Sequence, residues 1–234
     1  MNPGRRFWWL GVIVPIALCV GHFTVMVVLR PERSHWYISE TGPAELGAGG
    51  LFLAAAVVAA CLFLRFGRTM PRGVRWMWLV YALAAMFVAL EEMSYGQHIF
   101  RWASPEFFQR VNVQHEMNLH NLGGQGPQRT MRNIGEVLMP VWCLLLPALL
   151  MRFSRDAYGP GHWSRYLVPR WEVAVTVLLA GVLRPLLDWD PVILDDKATK
   201  EFMEFLWGWA ALLLVLVVWR RLRLAATDPA AAAA

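Results

Sequence analysis

The sequence predicts an all-α, polytopic membrane protein with six spans and one short interfacial or re-entrant helix, and three observations carry that prediction. The 234 residues are 57% hydrophobic and 13% aromatic, with a mean hydropathy of +0.41, too apolar for an ordinary soluble domain. Six apolar runs meet or approach the ~20 residues that cross a ~30 Å hydrocarbon core. Arginines gather in alternate connecting segments, as they do on the cytoplasmic side of a bilayer.

The first run, "FWWLGVIVPIALCVGHFTVMVVL" (7–29), follows Arg5 and Arg6 and begins like a signal peptide. It is too long for an h-region and has no A-x-A site behind it, and bulky Leu18 before Cys19 argues against a lipoprotein box, so it reads as a retained span. The second, 47–66, contains "LFLAAAVVAAC", whose small residues suit close helix packing. Spans follow at 74–93, 136–153, 171–187 (short, with Arg184 and Pro185) and 202–219. Residues 1–224 form one transmembrane domain, and 225–234, ending in alanines, read as a disordered tail. Cys19, Cys61 and Cys143 lie far apart in apolar runs without CxxC spacing and read as packing residues.

Orientation follows from charge. With the N-terminus inside, the inner segments carry Arg5, Arg6, Arg65, Arg68, Arg72, Arg75, Arg152, Arg155, Arg165, Arg170, Arg220, Arg221 and Arg223 against Asp156, Glu172 and Asp228 alone. This predicts a bacterial inner (cytoplasmic) membrane protein with both termini cytoplasmic. The net charge of +5 is explained by those loops, so nucleic acid is not an expected partner. Many of the tryptophans, as in "FWW" and "RWMW", mark interfacial belts.

The polar chemistry falls on the outer side. "EEMSYGQHIF" (91–100) closes the third span, and if the helix continues, Glu91, Ser94, Tyr95 and His98 share a ~100° sector while Glu92 points elsewhere. "SPEFFQRVNVQHEMNLHNL" (104–122) starts with Ser104 as N-cap, Pro105 in the first turn and Glu106 behind it. A helix over 104–122 would align Asn112, Glu116 and His120, with Phe108, Val111, Leu119 and Leu122 as an apolar stripe, lying in the interface. "GGQGPQ" (123–128) ends it.

Residues 90–122 resemble a family of bacterial multipass proteins with a Glu-Glu-x-Ser-aromatic-Gly-Gln signature. In that family the signature is followed by an Asn-x-Gln-x-Glu-x-Asn-Leu-His-Asn-Leu element. The resemblance implies that function lies in this stretch, on the amides, Glu116 and His120, without implying an activity. His98 stands where the family more often carries arginine, which speaks against an indispensable ligand there.

Three uses of these residues follow. A structural one pairs Glu91 or Glu92 with Arg184 and lets Asn112, Asn118 and Asn121 satisfy a re-entrant backbone. A metal site would draw on Glu91, Glu116 and His120, with His98 or His115, donors suited to zinc, iron or manganese; these residues form neither an H-E-x-x-H motif nor a Glu-x-x-His di-iron pair. An acid–base site would use Glu91, Glu92 or Glu116 with His120, while Ser94, Tyr95, Gln97, Asn112, Gln114, Asn118, Asn121 and Arg184 position a substrate. Ser94 lacks the G-x-S-x-G context of a nucleophile. Glu201 and Glu204 read as helix-start acids of span six, and His22 as a core residue. The expected function is an enzyme at the outer leaflet acting on a lipid or lipid-linked substrate; the alternative is a non-catalytic accessory subunit whose amides dock a partner membrane subunit.

Overall fold

A computed structural model describes residues 9–34, 42–112, 115–119, 122, 136–159, 162–169, 171–189 and 196–227, without side chains at 26–34, 182–189 and 196–199. The architecture is all-helical: α1 (Val14–Ser34), α2 (Pro43–Phe66), α3 (Arg72–Glu92), the short α4 (Glu106–Val111), α5 (Glu136–Phe153), α6 (Ala174–Trp189) and α7 (Asp196–Thr227). Four of them, α2, α3, α5 and the Lys200–Thr227 part of α7, are long and apolar enough to cross a membrane. Among the described residues, the apolar stretch at Trp9–Val25 and the 16-residue α6 fall short of that length. The expected span limits agree closely for α2, α3 and α5, whereas α7 runs past the predicted 202–219 at both ends.

The central layer is α2, packed between α3 and α7. Its buried face is small: Ala44, Ala48, Ala55, Ala56 and Ala59 line it, ending in Leu62. Where dispersion rather than water expulsion joins helices, small side chains let backbones approach. Gly208 of α7 shows how closely: a Cβ there would sit 3.1 Å from the Leu51 Cβ and 3.2 Å from the Ala48 carbonyl oxygen.

Prolines shape two of the outer helices. α1 is preceded by a π turn at Trp9–Ile13 and α5 contains another at Val141–Leu145. Each lies just before a proline, with Gly11 and Cys143 four residues ahead of Pro15 and Pro147. The proline ring collides with the carbonyl four residues back, and a widened turn removes the collision.

At one end of the bundle the chain leaves helical geometry after the single turn Ser164–Leu167, and four successive carbonyls lose helical partners. Side chains from the surrounding elements take them up. The Trp78 indole donates to the Tyr166 carbonyl at 3.0 Å, Trp142 to Leu167 at 2.9 Å, Arg221 to Val168 at 2.6 Å and the Tyr158 hydroxyl to Pro169 at 2.9 Å. Arg221 also stacks over the Tyr158 ring at 5.1 Å and faces Glu172 at 3.6 Å. This strap lies at the arginine-rich end; the carboxylates described next lie at the other.

Trp78→Phe is therefore expected to leave the Tyr166 carbonyl without a partner in a dry setting, costing about 1–3 kcal/mol. Thermal denaturation in detergent should show a clear fall for Trp78→Phe and almost none for Trp171→Phe, whose ring is exposed.

Candidate functional site

The site begins where α3 stops. Met93 caps the helix, its amide bonding the Ala89 carbonyl at 3.1 Å. Ser94, Tyr95 and Gly96 then take φ values of 42°, 54° and 80°. Three consecutive left-handed residues, two of them not glycine, are strained and must be held by their surroundings. At Gly96 the turn leaves no room: a Cβ would meet the Phe100 ring at 2.9 Å. The expected continuation of the helix through His98 is thus overturned, and the turn aims Ser94 back into the protein, where it is buried.

The partner is the following loop, not the long helix expected over 104–122. α4 ends at Val111, and Asn112 is extended (φ −89°, ψ 131°). Its amide nitrogen donates to the Asn118 carbonyl at 2.9 Å and to the Asn118 side-chain oxygen at 2.7 Å, and its backbone pairs with Leu122 in an isolated antiparallel bridge. An amide that bonds six residues ahead closes a compact loop in competition with the helix. Nor does Ser104 cap α4: its hydroxyl donates to the His115 carbonyl at 2.6 Å and lies 3.0 Å from Gln97 Oε1. Gln97 Oε1 also accepts the Met117 amide at 2.8 Å, so it clamps the loop to the turn after α3.

Within this loop Glu116 is the hub. Its Oε2 accepts the Ser94 hydroxyl at 2.7 Å and the Asn118 amide at 3.1 Å, and the same amide reaches the Ser94 oxygen at 3.2 Å. Oε1 lies 3.3 Å from His98 Nε2. The side chain of Glu116 is 6% exposed and that of His98 20% exposed, so the imidazole links a buried carboxylate to the outside. Ser94 and His98 therefore approach the two oxygens of one buried carboxylate, the hydroxyl in a hydrogen bond and the imidazole at ion-pair distance.

The two glutamates of the doublet diverge, as their spacing predicted. Glu91 is buried, and its Oε2 accepts the Leu119 amide at 2.7 Å. The Tyr95 phenol lies near the same carboxylate. Partial burial and the Glu91 carboxylate push the Tyr95 phenol up to about 12. Glu92 instead hydrogen-bonds Glu204 and lies within electrostatic reach of Glu201 and Glu45. Glu201 and Glu204 sit beyond the first turn of α7, which starts at Asp196, and so do not cap it. Glu45, in the first turn of α2, was not singled out by sequence; its only sequence signal is its place at the start of a span opposite the end of α3.

Of the other expected site residues, Gln114, His120, Asn121 and the Arg184 side chain lie outside the described residues, so the proposed pairing of Arg184 with the doublet and the ligand role of His120 do too. Among the described residues no group of three or more His, Cys, Asp or Glu side chains is arranged to hold a metal ion. His115 faces its own loop, with Nδ1 2.7 Å from the Gln109 carbonyl. No protein-family model, curated protein or solved structure matches the chain.

The Tyr95 shift has a definite sign. A phenol held protonated above its ordinary value of about 10 contributes stability that is complete below that value and disappears as pH rises through about 12. The tyrosinate absorbance difference between wild type and Tyr95→Phe should accordingly appear near pH 12 in the folded protein and near 10 after denaturation.

Proposed function

We propose that the chain is a six-span inner-membrane protein, both termini cytoplasmic, whose outer-leaflet site performs acid–base chemistry on a lipid or lipid-linked substrate. The observation that carries the reading is the buried Glu116 carboxylate, with the Ser94 hydroxyl bonded to one oxygen and the His98 imidazole 3.3 Å from the other. Glu116 is the acid/base, because its carboxylate faces both a hydroxyl and an imidazole. His98 exchanges the proton with the aqueous side, and Asn118 and Asn112 hold the carboxylate and its loop in place. A group so oriented typically contributes 10²–10⁴-fold to a rate.

The substrate class rests on what frames the site. Ile99, Phe100, Trp102 and Phe107, on the turn after α3 and the start of α4, all project outward as exposed apolar side chains. Such a fringe suits the boundary between headgroups and acyl chains, where aromatic side chains concentrate. A site framed this way is reached from the bilayer. The one-sided arginines of the sequence support the cytoplasmic placement of the strap and hence the outer placement of Glu116.

Glu116→Gln keeps the side chain's shape and one acceptor oxygen but removes the proton-carrying group. Lipid extracts from cells lacking the protein should differ from wild type in one lipid class, and wild-type protein should restore it. Glu116→Gln, present at normal level and with an unchanged melting temperature, should convert that lipid about 10²–10⁴-fold more slowly. Full conversion by Glu116→Gln would overturn the reading. Loss of a co-purifying membrane subunit in that variant, with lipids unchanged, would assign the amides to docking instead.

A further inference from the structure

α1 leans on α6 and touches the start of α7 where His22 stacks on Phe202, leaving a gap between these helices and the start of α2. The gap is a cleft of about 460 Å³, within the range of ligand pockets. Ala17, Gly21 and His22 of α1 line one side, Ala44 of α2 the base, and Phe202 and Phe205 of α7 the other. The flat rings brace one another: His22 stacks on Phe202 at 4.2 Å and 6°, and Phe202 on Phe205 at 6.2 Å and 8°. The surface they offer is almost entirely hydrocarbon, and a cavity of that character does not hold water.

Its length selects the occupant. Val14 and Val25 both border the cleft, which at the rise of a helix spans about 16 Å, the depth of one leaflet of a ~30 Å core. Its position matters as well. Ala44 is next to Glu45, and Phe202 and Phe205 each follow a glutamate, Glu201 and Glu204. The same turns of α7 thus present rings to the cleft and carboxylates toward Glu92. We propose that this cleft binds one acyl chain of a phospholipid, with the headgroup at the polar end of the bundle. A chain in a groove touches protein on several sides, whereas one lying on a helix surface touches it on one, so dispersion favours the groove. The inference rests on membrane placement and not on the acid–base reading.

The test uses full-length protein in vesicles of phosphatidylethanolamine and phosphatidylglycerol carrying a phospholipid with a diazirine in its acyl chain. Photolabelling should enrich peptides containing 14–25 and 202–205 about tenfold over the exposed α3 surface at Val80 and Leu83. Gly21 lines the cleft and an added Cβ there meets no atom within 4 Å, so Gly21→Phe adds bulk to the cleft, and Ala17→Phe does so from a neighbouring turn. Both variants should lower cleft labelling about tenfold and leave the α3 surface unchanged; if one fails to fold, the other stands. Labelling no higher at the cleft than on α3, labelling undiminished in a folded variant, or labelling only by a polyprenyl-phosphate diazirine probe would each overturn the proposal. Glu116→Gln should label like wild type, which separates this outcome from failure of the catalytic reading.

Discussion

Backbone and carboxylate groups withdrawn from water find their partners inside the protein, and that requirement governs both ends of the bundle. An unmatched amide or carboxylate in a hydrocarbon setting costs several kcal/mol. At the basic end the unwound segment around Val168 exists because two indoles, a guanidinium and a phenol converge on four carbonyls. At the acidic end the carboxylates of Glu91 and Glu116 exist because a loop folds over them with its amides turned inward. The apolar middle between them is ordinary small-residue packing.

The polar end is divided into two compartments by the end of α3. On one side, Glu91 and Glu116 are tied into the loop by neutral donors: a backbone amide, a hydroxyl and a carboxamide. On the other, Glu92 meets further carboxyl groups from α2 and α7. Adjacent residues thus enter opposite chemical surroundings because a helix turns 100° per residue. The first compartment is wired for directed hydrogen bonds; the second concentrates like charge, and the acyl-chain cleft borders it.

The all-helical class and four candidate spans were plain in the sequence because long apolar helices announce themselves by length and composition alone. The limits of α2, α3 and α5 were legible to within a few residues for that reason. The site was legible in its membership and not in its geometry. Glu91, Ser94, Gln97, Asn112, Glu116 and Asn118 do come together, yet by a route that periodicity could not foresee. Helical spacing placed Asn112 and Glu116 on a common face, whereas the structure closes the chain after Val111 through an Asn112–Asn118 contact. Side chains that compete with the backbone for hydrogen bonds decide such segments, and their choice depends on what approaches from elsewhere in the fold. The left-handed run at Ser94 and Tyr95 is hidden for the same reason, since only Gly96 hints at it.

α3 holds an anchor at each end: the Trp78 indole in the strap and the Glu91 carboxylate in the loop. Thirteen residues apart in the sequence, the two lie about 20 Å apart along the axis. Together they fix that helix in both translation and rotation, for a shift of one residue would turn each side chain by 100° away from its acceptor or donor. Lengthening or shortening α3 by a single residue between them would therefore uncouple the bundle's two faces.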